Sequence, residues 1–146
     1  AEDAVDAAIG AGPLPQKAPA TRELNLHGSL DANRHLDDTP LTLYGSDAAA
    51  IEKLAAGNPE LAKKVHPDYP YTFAQVQWAI DEELALSLED VLARRIRLLF
   101  LDAKAAEAAA PAVAAFMATR LGWSEERQKA ELDNFVKLTK QYRLVA

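Results

Sequence analysis

The residue types that most often carry chemistry are scarce in this sequence, and their spacing supports no complete catalytic centre. The chain has no cysteine, so disulfides, thiolate catalysis and cysteine-based zinc sites are excluded. It has three histidines, His27, His35 and His66. No two of them have the spacing that places two metal ligands on one face of a helix. We therefore expect no metal site built on paired histidines.

The remaining candidate motifs are weak. Acidic residues surround His35, but short Asp-rich loops usually cap turns rather than bind metals. The pair Gly10 and Gly12 lacks the third glycine and the preceding strand of a phosphate-binding loop. No Gly-x-Ser-x-Gly motif occurs, and we expect two of the three acids at positions 81–83 to point to solvent. The sequence thus predicts no catalytic, cofactor-binding or metal-ligating residue.

An arginine-rich stretch is the most informative part of the chain. On a helical wheel, residues 88–101 form one broad apolar face, and Arg94 and Arg97 lie away from it. Arg95, in contrast, projects from the apolar face. The apolar positions are Leu88, Val91, Leu92, Ile96, Leu98 and Leu99.

The preceding predicted helix offers Arg95 a partner. Its core face comprises Phe73, Val76, Ile80 and Leu84, and Glu83 lies at the edge of that face. A short turn near residues 86–87 would fold the two helices side by side. A partly buried charge needs a partner, so we predict a structural ion pair between Glu83 and Arg95. The alternative is that Arg95 binds a phosphate or carboxylate ligand.

Composition indicates a helical domain that buries one core. The 146 residues suit a single domain, and much of the 49% hydrophobic content is alanine, the best helix former. The net charge of −6 disfavours nucleic acid as a partner, because such surfaces need clustered positive charge. No apolar run approaches the ~20 residues of a membrane-spanning helix.

Capping signals predict an all-α, compact bundle of five to six helices with an extended N-terminal linker segment. A Gly/Pro-rich linker at residues 10–20 cannot continue a helix. Helices are predicted over residues 47–56, from Asn58, over 72–86, from Ser87, over 102–121 and from Ser124. Ser46 or Asp47 is expected to cap the first of these, and Pro111 to split or kink the fifth.

The N-terminus resembles the middle of a helix, because Val5 and Ile9 are four residues apart and no capping residue precedes them. We therefore expect that the chain was cut from a longer one. We divide it into residues 1–29, the tail of a preceding helix plus a linker, and residues 30–146, the helical domain.

Five sequence blocks carry a resemblance to a known family, and they are YPYT at 69–72, QVQWA at 75–79, ELA at 83–85, EDVLARR at 89–95 and LLFLDA at 98–103. They closely resemble the C-terminal helical domain of bacterial FAD-dependent glycerol-3-phosphate dehydrogenases and the related alpha-glycerophosphate oxidases. The similarity extends over nearly the whole chain. One departure is Asp81, where the family usually has arginine, so any contact that this arginine makes is in doubt here.

The resemblance implies a parent protein that oxidises sn-glycerol 3-phosphate to dihydroxyacetone phosphate and passes electrons through FAD to a quinone or to oxygen. In the family, the FAD- and substrate-binding portion precedes this domain. No catalytic residue of the family maps onto this chain. We therefore expect the chain by itself to hold no cofactor and to be inactive.

Two roles for the domain follow from the resemblance. It could be a structural cap that packs on the FAD- and substrate-binding portion of the same parent chain. It could instead be an interaction module for dimerisation or for docking to a partner or membrane. A cytoplasmic location is expected, with the parent peripheral on the inner face of the cell membrane as a further expectation.

Overall fold

The fold of the chain is all-α. A computed structural model describes residues 2–13, 15, 24, 26, 28, 29 and 39–143. A 3-10 helix spans Thr42–Asp47, and a π-helical segment spans Asp90–Arg95. The α-helices are α1 (Glu2–Ala11), α2 (Ala48–Gly57), α3 (Pro59–Ala62), α4 (Phe73–Asp81), α5 (Leu98–Leu101), α6 (Ala103–Leu121) and α7 (Glu125–Gln141). The predicted helical bundle is confirmed, although most of the expected linker lies outside the described residues.

Several predicted caps are present. Asn58 Oδ1 accepts the Glu60 N–H at 3.0 Å, and Pro59 occupies the first position of α3. At the start of α4, the Gln75 side chain accepts the Thr72 N–H at 2.9 Å. Ser124 Oγ accepts the Arg127 N–H at 3.2 Å to open α7. These local signals were readable because each cap involves residues only two or three positions apart.

Two helix boundaries differ from the sequence prediction. The helix predicted over residues 72–86 ends at Asp81, because Leu84 adopts a left-handed conformation with φ of 55°. Leu84 is therefore exposed rather than part of the core face. The helix predicted over 88–101 is also broken: after the π-helical segment, Arg97 is left-handed with φ of 57°. The break redirects the chain while Leu98 and Leu99 remain buried.

Two further expectations hold only in part. Pro111 does not split α6, which is one continuous helix from Ala103 to Leu121, and a kink at Pro111 stays a prediction. The proline is exposed, whereas Ala109, Ala110, Val113 and Ala114 on either side are buried and hold the helix in place. In addition, Asp47 occupies the N-cap position of α2, but its side chain makes no capping hydrogen bond there, and a 3-10 helix leads directly into α2.

The core consists of two adjoining clusters. The larger lies between α4, the π-helical segment, α5, α6 and α7, and the smaller is formed by Ile51, Leu61 and Ala74. Phe73 and Phe116 pack against both clusters, with ring centroids 5.2 Å apart. Their contact packs α4 against α6 and so holds in place the helix that leads into the turn after α4.

A close backbone approach requires glycine before α2. Gly45 has φ of 55° and ψ of −122°, and a Cβ there would clash with the carbonyl of Gly28. The segment at Gly28 thus lies directly against the 3-10 helix. Within the described residues, no helix is both long and apolar enough to cross a membrane.

Candidate functional site

The turn after α4 contains Leu84, one of two non-glycine residues with positive φ in the described part of the chain. Leu84 is left-handed, and 79% of the residue is exposed. A bulky residue in this conformation costs roughly 1–2 kcal/mol, so surrounding contacts must hold it there. The turn is closed by the Ala85 N–H, which donates to the Ala79 carbonyl at 2.9 Å. The result is a large apolar side chain presented to solvent on a fixed backbone.

Arg95 holds this turn by two contacts to the same residue. Its Nε lies 3.1 Å from Glu83 Oε2, and its Nη2 donates to the Glu83 carbonyl at 2.6 Å. The side chains of Arg95 and Glu83 are 32% and 28% exposed. The planar guanidinium therefore binds both the carboxylate and the backbone of the residue just before Leu84. The structure thus brings together the two residues for which the sequence predicted an ion pair.

The π-helical segment determines where Arg95 sits. The Ile96 N–H donates to the Val91 carbonyl at 3.0 Å, five residues back, which widens this turn relative to an α-helix. Val91, Leu92 and Ile96 are buried, whereas Arg94 lies outside and pairs with Glu89 and Asp90. Arg95 is thus left at the boundary of the core, facing the turn after α4.

Hydrogen bonds fix the far end of the turn as well. Asp90 Oδ2 accepts the N–H groups of Leu86 and Ser87 at 3.1 and 3.0 Å, and Ser87 Oγ accepts the Asp90 N–H at 3.1 Å. Glu131 of α7 accepts the Leu88 N–H at 3.1 Å. Residues 82–88 are therefore anchored at both ends around the exposed Leu84.

A polar cluster lies beneath the turn. Burial, and next the nearby Glu83 carboxylate, raises the pKa of Tyr44 to about 12, so its hydroxyl stays protonated at physiological pH. Gln75 is fully buried beside it and receives the Thr72 N–H on its side-chain oxygen. The cluster thus places Tyr44 of the 3-10 helix, Gln75 of α4 and Glu83 of the turn close together.

Asp81 stands at the end of α4 and makes two polar contacts. Its Oδ2 accepts from Gln77 Nε2 and lies 3.7 Å from Arg120 Nη2 of α6. An arginine at this position would face Arg120 instead, so the acid fits the local charge of this chain.

A second group of titratable residues has a structural role. Asp102 caps α6, and the Ala105 N–H, followed by the Lys104 N–H and the Tyr69 hydroxyl, holds its pKa below the ordinary value. Tyr69 donates to Asp102 at 3.2 Å. His66 is mostly buried, its ring packs edge-on against Tyr69, and its Nδ1 accepts the Asp68 N–H at 3.3 Å. His66 is thus held within the fold, and the carboxylate of Asp102 is engaged by the cap of α6.

The described part of the chain offers no group of His, Asp and Glu side chains able to hold a metal ion. His27 and His35 lie outside the described residues. Sequence reasoning missed Leu84 as a surface residue, because a leucine gives no signal for a left-handed turn. The described residues also include no strand that leads into a glycine-rich turn, the arrangement that holds the pyrophosphate of a dinucleotide.

The family described as the C-terminal domain of alpha-glycerophosphate oxidase matches residues 19–128. A probable mitochondrial glycerol-3-phosphate dehydrogenase of Dictyostelium discoideum is 43% identical over 91 residues, which cover 62% of this chain and 14% of the relative. The mitochondrial glycerol-3-phosphate dehydrogenase of Mesocricetus auratus is 34% identical over 155 residues, 94% of this chain and 21% of the relative.

The corresponding enzyme of Arabidopsis thaliana is 31% identical and covers 90% of this chain and 25% of the relative. No solved structure gives a significant match. The chain thus spans between 14% and 25% of the length of these three relatives. Because the family match covers most of the chain, we conclude that it belongs to the family of the C-terminal domain of alpha-glycerophosphate oxidase.

Proposed function

We propose that this domain is a non-catalytic cap that packs on the FAD- and substrate-binding portion of a parent glycerol-3-phosphate dehydrogenase. The parent would oxidise sn-glycerol 3-phosphate to dihydroxyacetone phosphate, with electrons passing through FAD to a quinone or oxygen. The relatives support this proposal, since they carry several times as much sequence as the chain. In this proposal the flavin is held by the preceding portion of the parent.

The observation that carries the proposal is the exposed Leu84 on its fixed turn. Two contacts from Arg95 hold a strained backbone that leaves an apolar side chain in water. Burial of Leu84 against a partner would offset the free-energy cost of its left-handed backbone and of its apolar side chain in water. Leu43, 81% exposed, precedes Tyr44, and Tyr44 lies near Glu83, so a second apolar side chain comes from the same region.

The role of this chain in the reaction would be indirect. A cap that covers the edge of a flavin site excludes water and keeps the substrate portion in one arrangement. Glu83, Glu89 and Asp90 pair with Arg94 or Arg95 within the domain, so these three acids need no counter-charge from the flavin portion. A location of the parent at the inner face of a membrane is part of this proposal.

Binding between separate pieces tests the cap. The chain is mixed with the flavin-binding portion of the parent, and affinity is measured by calorimetry. Leu84→Ser should weaken binding about tenfold, the loss expected when a well-packed interface anchor is truncated. Leu101→Ser, at another exposed leucine, is the matched control and should bind as the unsubstituted chain does. Failure of the unsubstituted chain to bind, or flavin co-purifying with it alone, would overturn the proposal.

A further inference from the structure

Two glycines that are well separated in the sequence, Gly28 and Gly45, meet in the structure. Gly28 has φ of 75°, and the Ser29 N–H donates to the Leu26 carbonyl at 2.9 Å, which closes a turn around Gly28. We call this feature the Gly28 turn, and it comprises Leu26, Gly28 and Ser29. Gly45 has φ of 55°. Both glycines therefore adopt backbone conformations that residues with a Cβ disfavour.

The two glycines touch backbone to backbone, and we call this the glycine contact. A Cβ on Gly45 would overlap the carbonyl group of Gly28. A Cβ on Gly28 would lie 3.3 Å from the Tyr44 carbonyl oxygen and 3.6 Å from a carboxylate oxygen of Asp47. Gly57 lacks this constraint, since a Cβ there would meet no atom within 4 Å. The Gly28 turn thus lies against the 3-10 helix in an arrangement that a side chain at position 45 would prevent.

Tyr44 connects the Gly28 turn to the surface that carries Leu84. Its carbonyl lies against Gly28, whereas its hydroxyl is buried near the Glu83 carboxylate. Glu83 is in turn held by Arg95, which contacts both its carboxylate and its carbonyl. A chain of contacts therefore runs from the Gly28 turn, through one tyrosine, to the residue just before Leu84.

We infer that the glycine contact aligns the helical domain with the flavin-binding portion of the parent. The inference rests on the proposed cap, because it assigns a role to the connection between those two portions. Gly28 lies in the predicted linker segment, so the contact fixes the connection before it reaches the 3-10 helix. A connection fixed at Gly28 is shorter than one fixed at Gly45, and a shorter connection loses less entropy when its two ends are brought together. The glycine contact therefore favours docking of the surface with Leu84.

Gly45→Ala tests the glycine contact in this chain. NMR of the unsubstituted chain should show contacts between the protons of Gly28 and Gly45, and the variant should lose them. Exchange of the Ser29 amide should become about tenfold faster, since the added Cβ is incompatible with the position of the turn. Exchange in the buried middle of α6 should not change, which verifies that the domain remains folded. Gly57→Ala is the matched control and should behave as the unsubstituted chain does.

Gly28→Ala is a milder second variant that serves if Gly45→Ala does not fold. Its Cβ would be only slightly too close to the Tyr44 carbonyl oxygen, although its positive φ is strained for alanine. It should also speed exchange of the Ser29 amide. Proton contacts between positions 28 and 45 that are absent from the unsubstituted chain, or that persist in both variants, would overturn the inference and leave the cap standing.

The effect on docking is measured by hydrogen–deuterium exchange in the complete parent holoenzyme. Exchange in residues 82–88 should become about fivefold faster with Gly45→Ala, because the connection is longer once the contact is lost, and should not change with Gly57→Ala. Unchanged exchange with Gly45→Ala would overturn the inference and leave the cap standing. Equal exchange of residues 82–88 in the unsubstituted parent and in this chain alone would instead contradict the cap, and with it the role of the glycine contact.

Discussion

At the scale of single residues, the turn after α4 depends on Arg95. Its side chain and that of Glu83 are each about one third exposed, so solvent screens the pair and limits its contribution. We expect a double-mutant cycle with Glu83→Ala and Arg95→Ala to give a coupling of about 1 kcal/mol in the free energy of unfolding. Urea denaturation measures it.

Arg95→Lys separates charge from geometry. A lysine keeps the positive charge but cannot contact the Glu83 carboxylate and carbonyl with a planar fork. We therefore expect it to lose more than half of the coupling. A coupling near zero for the alanine cycle would show that the pair contributes nothing and that the turn is held by other contacts.

Leu84 should show opposite effects on stability and on binding. Leu84→Gly relieves the cost of a left-handed leucine, partly offset by the greater freedom of glycine in the unfolded chain. We expect the chain to become more stable by about 1 kcal/mol in urea denaturation. The same variant should bind the flavin portion more weakly. An equal or lower stability would show that the turn is not strained.

At this site, the sequence predicts which side chains interact better than it predicts the backbone conformation. The helical wheel placed Arg95 on the apolar face and Glu83 at the edge of the neighbouring core face, and so predicted their ion pair. The left-handed conformations of Leu84 and Arg97 left no trace in the sequence, because both arise from distant contacts rather than from residue type. The sequence therefore did not indicate Leu84 as a surface residue, although it did predict that Glu83 and Arg95, which hold the turn, would pair.

At the scale of elements, Pro111 is a defect that α6 tolerates. It removes the N–H that would donate to the Glu107 carbonyl, yet buried neighbours keep the helix continuous. We expect Pro111→Ala to raise the free energy of unfolding by about 1–2 kcal/mol, since alanine restores the donor and the helix propensity. Guanidinium denaturation measures this change, and a loss of stability would mean that the ring itself packs usefully.

Glu107 makes the contact between α6 and α7 sensitive to acid. The Thr139 hydroxyl, followed by Arg143, holds the pKa of the Glu107 carboxyl below its ordinary value of 4.5. A lowered pKa means that the stabilisation is complete above the unfolded-state value and is lost as pH falls through the folded-state value.

Glu107→Gln should therefore be less stable than the unsubstituted chain at neutral pH, and the difference should shrink below about pH 4.5. Thermal melts between neutral and acidic pH measure it. Glu52→Gln, at an exposed position of α2, is the control for the loss of one negative charge. A difference that stays constant with pH would contradict the account.

Helices that begin with a capping residue could be predicted from the sequence, whereas elements without such a residue could not. Asn58, Ser87 and Ser124 cap within four residues, so each helix start could be found from the sequence. The π-helical segment and the short α5 form in the arrangement that buries Leu98 and Leu99 in the core. No pattern in the neighbouring sequence predicts this arrangement.

At the scale of the whole molecule, function could be inferred only through likeness. The helical fold followed from periodicity and capping, but no residue pattern indicated a cap or its partner. The sequence blocks from Tyr69 to Ala103 supplied the family, and the match over residues 19–128 confirmed it. The structure added the exposed leucine that gives the proposed cap a surface.

Hydrogen–deuterium exchange tests the cap most directly. Exchange in residues 82–88 is compared between this chain alone and the complete parent holoenzyme, with the buried middle of α6 as an internal reference. Burial of Leu84 against the flavin portion predicts slower exchange in residues 82–88 of the parent and no change in the reference. Equal exchange of residues 82–88 in both proteins would contradict the account.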